Sequence, residues 1–183
     1  RVGSIAGIAF EIHYTWFVVL VVFSWILADG FLPSRYGDWA ATTYWSIGTL
    51  CAILLFASVV VHELAHSLVA KARGLPVEGI TLFLFGGVSS LKADSRGPKD
   101  ELIIAAVGPL ASLGLFAVLR VLYEGVTDTT TPFAALLWYL WWINLALAIF
   151  NMLPAFPMDG GRVLRSAIWA LTSRYTEEAA SSI

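Results

Sequence analysis

Two histidines and a glutamate stand in one short run, His62-Glu63-Leu64-Ala65-His66. On a helix, residues four apart share a face one turn apart, so both imidazoles can hold one Zn²⁺. Glu63 beside them can take a proton from metal-bound water, whose pKa zinc lowers to about 7. A catalytic zinc also needs a third protein ligand and an open position for water. The chain has three histidines. The remaining one, His13, stands where an apolar stretch begins and reads more readily as an interfacial side chain than as a ligand. Asp159, in the run Asn151-Met152-Leu153-Pro154-Ala155-Phe156-Pro157-Met158-Asp159-Gly160-Gly161, is the better candidate. It equally fits a turn aspartate capping a helix from Gly160, and the residue types leave both readings open. Cys51 is too far back along the chain to join the same ion, at roughly 16 Å of helix axis from His62. As the sole cysteine it forms no internal disulfide.

The elements that must position these groups are apolar. Hydrophobic residues make up 58% of the 183 and charged residues 13%, against about 25% charged in ordinary soluble domains. A net charge of −2, with no dense basic patch, gives no footprint for nucleic acid. Four stretches approach or exceed the roughly 20 residues needed to cross a bilayer: about 14–32, 45–70, 102–123 and 133–153. The fold class expected is an all-α membrane protein with at least four transmembrane helices. Its 183 residues are expected to form one transmembrane core domain, a piece of a longer chain, since it opens at Arg1 and ends without a break in pattern. No cleavable signal peptide is expected, because Asp29-Gly30 follows the first apolar stretch where a small-x-small cleavage site would stand.

Charge orients the spans. Arg1, Lys71, Arg73, Lys92, Arg96, Lys99, Arg162, Arg165 and Arg174 fall on one side, Arg35 and Arg120 on the other. Cationic loops stay in the cytoplasm, so the N-terminus, the 71–100 loop and the C-terminus are expected there in a multi-pass protein. Tryptophans such as Trp16, Trp39, Trp45, Trp138, Trp141 and Trp142 lie near span ends, as interfacial belts do. With Lys71 marking the cytoplasmic end, His62 and His66 lie roughly 7–14 Å inside it.

Between the second and third spans, Gly79 to Val88 is apolar, β-branched and aromatic and bounded by glycines. It reads as a β-hairpin or small sheet (about 79–91) on the cytoplasmic side rather than a fifth crossing. Gly108-Pro109 in the third span suggests a kink or close packing. Pro154 and Pro157 rule out a regular helix after the fourth. Asn144 and Asn151 lie seven apart on one face of that span. An amide near the site could donate to a developing oxyanion, or bond across helices, the plainer reading for Asn144.

A structural role for the His-Glu-His run is the alternative to catalysis. Three ionisable groups inside an apolar span are costly, however, and such groups mark function. A transporter or metal-permeation protein could also use buried His, Glu and Asp. It would need ionisable groups reaching the far side, and the candidates cluster toward one end.

On the residues His62-Glu63-Leu64-Ala65-His66, the segment ending Phe85-Gly86-Gly87-Val88, and Asn151 to Gly161 followed by Arg162, the chain resembles the site-2 protease family, the intramembrane zinc metalloproteases of peptidase family M50. The resemblance covers nearly the whole chain, with its two motifs in the family's order. It implies that His62, His66 and Asp159 bind one Zn²⁺ per chain, that Glu63 is the catalytic base, and that Asn151 helps position or stabilise the substrate carbonyl. It implies a zinc-dependent intramembrane endopeptidase acting in regulated intramembrane proteolysis, with a single-pass membrane protein as substrate and the lipid bilayer as surroundings. A C-terminal regulatory domain would lie outside these residues. A helical substrate must unwind to be cut, and a strand edge at Phe85, Gly86, Gly87 and Val88 could hold it extended. Asn144 is a further substrate-binding candidate.

Overall fold

The structure, a computed structural model, describes residues 3–83, 86–91 and 97–181. Among them, four helical stretches are long and apolar enough to cross a membrane: Thr15–Arg35, Ala41–Ala72, Pro98–Glu124 and Pro132–Asn151. The first consists of α1 (Thr15–Trp25), a π-helical turn at Ile26–Phe31 and a short α2 (Leu32–Arg35). The others are α3 (Ala41–Ala72), α4 (Pro98–Glu124) and α5 (Pro132–Asn151), followed by the more polar α6 (Asp159–Ser181).

Local sequence sets the ends of these helices. Gly74 closes α3 in the left-handed conformation, with φ +74°. The Leu75 amide bonds the Ala70 carbonyl and the Gly74 amide the Lys71 carbonyl. That pattern satisfies the last carbonyls of a helix and turns the chain sharply. Leu75 then buries against Ala70 and Ile104, which ties the end of α3 to α4. Pro98 opens α4 where its missing N–H costs nothing, and Asp100 and Glu101 in the first turn suit the positive end of the helix dipole. The Thr131 hydroxyl accepts from the Ala134 amide to cap α5.

The β segment is larger than the sequence suggested. Strands β3 (Val77–Phe83) and β4 (Gly86–Leu91) form the expected antiparallel pair, but two N-terminal strands join them, β1 (Gly3–Ile5) and β2 (Ile8–Ile12). The sheet order is β1-β2-β3-β4, with β2 parallel to β3 in the register Phe10 to Ile80. The signal for β2 in the sequence is weak, since Ala9 breaks the apolar–polar alternation, but its burial alternates. Ile8 and Phe10 are buried while Ala9 and Glu11 are not. Ile8, Phe10 and Ile80 pack on Val60 and Leu64 of α3, so the sheet braces the helix that carries the two histidines.

Candidate metal centre

α3 delivers His62 and His66 to one face, 3% and 5% exposed. After α5 the chain makes an exposed turn through residues 152–157 and re-enters the bundle at Asp159, 8% exposed, the first residue of α6. The turn closes tightly because Gly160 carries no side chain. A Cβ there would stand 2.2 Å from the Met152 carbonyl oxygen and 2.4 Å from that of Leu153.

The three side chains meet. His62 Nε2 and His66 Nε2 each lie 3.1 Å from Asp159 Oδ2 and 3.2 Å from one another. This is a nearly equilateral triangle of nitrogen and oxygen donors. Zinc bonds to such atoms are about 2.0–2.2 Å, and the edges of a tetrahedron built on them are roughly 3.3 Å. The donor set therefore fits a tetrahedral ion with a fourth position left for water.

Proton positions support the fit. His66 Nδ1 lies 2.6 Å from the Ile104 carbonyl, which can only accept. Nδ1 therefore carries the proton, and Nε2 turns a lone pair to the centre. His62 Nδ1 lies 2.9 Å from the Ser112 hydroxyl, and donating to it gives His62 the same orientation. Burial alone would raise the Asp159 carboxyl, but the His62 and His66 imidazoles beside it outweigh that and bring it down to about 2. Asp159 is thus a carboxylate at neutral pH, as a ligand must be. Three buried ligand-type atoms this close together, with Nδ1 of each histidine turned to a partner outside the triangle, suit a cation.

Gly108 leaves room for one. A Cβ at this position would fall 2.1 Å from His66 Nε2 and 2.7 Å from His62 Nε2, so a side chain would occupy the space beside both donors. In one dimension this glycine reads only as a kink or a packing position. Its importance appears once α4 is laid against α3.

The other candidate residues are not part of this triangle. Glu63 is half-buried on α3, more open than the enclosed histidines it adjoins. Asn151 is half-buried at the end of α5, and its Nδ2 donates back to the Leu147 carbonyl of its own helix. Nδ2 carries a second hydrogen, so this bond does not bar donation to a substrate carbonyl. Asn144 is fully buried and donates across to Ser58 on α3 and to the Leu140 carbonyl, while its Oδ1 has no hydrogen-bond partner among the described residues. Gly86, Gly87 and Val88 lie in β4, at one edge of the sheet. Phe85 lies outside the described residues. His13 is exposed and pairs with the Thr15 hydroxyl at the start of α1, apart from the donor triangle.

Two residues absent from the sequence reading, and one read there only as a kink or packing position, surround the centre. Ile104, Gly108 and Ser112 all come from α4 and contact the histidines by backbone, by lack of a side chain and by hydroxyl. Only their spacing of four along an otherwise apolar helix could have flagged them, and that spacing is common in packed helices.

Comparison with known proteins gives consistent matches. The sequence matches the description Peptidase family M50 over residues 50–128 and 114–183. It is 44% identical over 172 residues to the protein sll0528 of Synechocystis sp., covering 94% of this chain and 45% of that protein. It is 38% identical over 168 residues to zinc metalloprotease MJ0392 of Methanocaldococcus jannaschii, covering 92% of this chain and 45% of that protein. The chain thus spans less than half the length of these relatives. The solved structure of a site-2 protease from Methanocaldococcus jannaschii superposes with a TM-score of 0.63 at 38% identity, over 90% of this chain and 69% of that one.

Proposed function

The chain belongs to peptidase family M50, and from that premise we propose that it is the core of a zinc-dependent endopeptidase that cuts membrane-tethered proteins within or beside their spanning segments. The observation that carries the reading is the buried donor triangle of His62, His66 and Asp159. These three residues would hold one Zn²⁺. Bound there, zinc would supply Lewis acidity toward the scissile carbonyl and acidify water at neutral pH.

The chain's own groups do the rest. Glu63 takes a proton from the attacking water and returns it to the departing amide nitrogen, the work of a general base and then a general acid. Asn151, through the second hydrogen of its Nδ2, donates to the oxygen on which charge develops. The bundle buries both histidines and so restricts bulk water at the site. A substrate helix has no free peptide groups, so it must unwind first. The open edge of β4, at Gly86, Gly87 and Val88, offers backbone partners for the extended segment. The excess of lysine and arginine at the metal-bearing end of the bundle supports a cytoplasmic position for that end, with the termini on the same side.

The test is cleavage of a single-pass helical substrate by the purified protein in proteoliposomes. Glu63→Gln should slow cleavage by about 10²–10⁴-fold, as loss of a general base does, while zinc content stays at the wild-type level. Undiminished cleavage by the variant would reject Glu63 as the base. Zinc flux across the liposome wall without cleavage would replace the protease reading with metal permeation.

A further inference from the structure

One face of α4 meets the metal centre at successive turns. Ile104, Gly108 and Ser112 follow one another at intervals of four, and each acts on a histidine by its carbonyl, its missing side chain or its hydroxyl. One turn before Ile104 the same stripe continues with Glu101. Glu101 is 1% exposed, a depth at which a carboxylate must be paired.

Its partners come from α6. Glu101 Oε1 accepts from Arg162 Nε at 3.0 Å and from Arg165 Nη2 at 2.7 Å, and Oε2 faces Arg162 Nη2 at 3.5 Å. Arg162 and Arg165 stand three and six residues after Asp159, within the first two turns of the helix that Asp159 begins. The turn that leads to Asp159 is exposed from residue 152 to 157, and its close approaches run to Gly160 and Gly161 of α6 itself, which sets Asp159 relative to the end of α5 but not relative to α4. The fork of two guanidiniums on one buried carboxylate is a directional tie between the helix bearing the third ligand and the helix that orients the other two. A second pair at the same end, Arg73 Nη1 with Asp100 Oδ1, ties α3 to α4 without involving α6.

We infer that Glu101 is a positioning residue for Asp159: through Arg162 and Arg165 it sets the register of α6 on α4, and so the place of the Asp159 carboxylate in the donor triangle. The inference rests on the reading of that triangle as a metal site. It makes α4 the common template for all three ligands, although α4 contributes none.

The experiment measures zinc affinity by competition with a chromophoric chelator, and the visible spectrum of the Co²⁺-substituted protein, on the full chain in detergent. Wild type should bind one zinc and give a tetrahedral cobalt spectrum. Absence of binding there would overturn the metal-site reading itself. Given wild-type binding, Glu101→Ala should weaken zinc about 10–100-fold, the effect expected when a group that orients a ligand is lost. Its cobalt spectrum should move toward that of Asp159→Ala. Glu101→Gln, which keeps an acceptor of the same shape, should recover part of the loss. Asp100→Ala, which breaks only the neighbouring pair, should bind zinc within about twofold of wild type. Wild-type affinity and spectrum in Glu101→Ala would overturn the inference. An equal loss in Asp100→Ala would also overturn it, by reducing the effect to general loosening of that helix end. Should Glu101→Ala fail to fold, Arg165→Ala decides the question: weaker zinc with the same spectral shift supports the inference, and unchanged zinc rejects it.

Discussion

The two ends of the helical bundle are held by different physics. At the end away from the metal centre, Ala28, Leu32, Tyr36, Tyr44 and Ala135 pack together, Tyr36 stacks on Trp39, and Arg35 lies over the Trp138 ring at 4.4 Å. A neighbouring cluster of Leu27, Cys51, Tyr139 and Leu140 continues the apolar packing. At the other end, beside the apolar clusters of Ile8, Phe10 and Ile80 and of Ala70, Leu75 and Ile104, the buried groups include the polar His62, His66, Asp159, Ser112 and Glu101, and each of these five is bonded to a named partner on another helix. Apolar packing tolerates small shifts because dispersion is shared among many weak contacts. Hydrogen bonds between buried polar groups do not, since misalignment leaves a group unpaired in a low dielectric. One end should therefore respond to mutation in stability, and the other in metal affinity.

The sharpest break in that comparison is Gly108→Ala. Alanine is a better helix former than glycine by about 0.5–1 kcal/mol, yet its Cβ would press on His66 Nε2. The variant should keep its helical content and lose zinc by more than about 100-fold, beyond the usual effect of an outer-shell change. Metal analysis beside circular dichroism checks this, and retained zinc would mean that the space next to the histidines is not the ion's. Ser112→Ala comes next. It leaves the His62 imidazole without its hydroxyl partner and should weaken zinc about 10-fold, with the melting temperature little changed. Affinity equal to wild type would show that His62 is oriented by packing alone. The mildest case is Leu140→Ala at the apolar end. Lipid tails are as apolar as leucine, so only packing is lost, and the cost should be about 1–2 kcal/mol, below the range for water-soluble cores. It should appear in thermal unfolding with zinc affinity unchanged. A fall in zinc affinity would couple the two ends and blur the distinction.

The four long helices were readable from composition because hydrocarbon demands a continuous apolar run with its backbone paired internally. Their observed ends extend beyond the apolar runs where capping governs, as at Thr131 and Gly74. Hydropathy does not register caps. The β3–β4 pair was legible from its β-branched composition. The pairing of β2 with β3 was not, because it joins residues about 70 positions apart and depends on α1 and α3 bringing the strands side by side.

Within the metal centre the same division holds. The sequence by itself determined that His62 and His66 share a helical face with Glu63 beside them, because the α-helical repeat fixes the relation of residues four apart. It also determined that these groups sit within an apolar span, where ionisable side chains call for a partner. For Asp159 it left ligand and helix cap both open. The tertiary structure makes Asp159 the first residue of α6 and brings its carboxylate within 3.1 Å of both imidazoles, the placement the ligand reading needs. The parts played by Ile104, Gly108, Ser112 and Glu101 were decided only by the packing of α4 against α3 and α6. A backbone carbonyl, a missing side chain, a lone hydroxyl and a first-turn carboxylate have no signature in one dimension. They acquire their roles from what the neighbouring helix places opposite them.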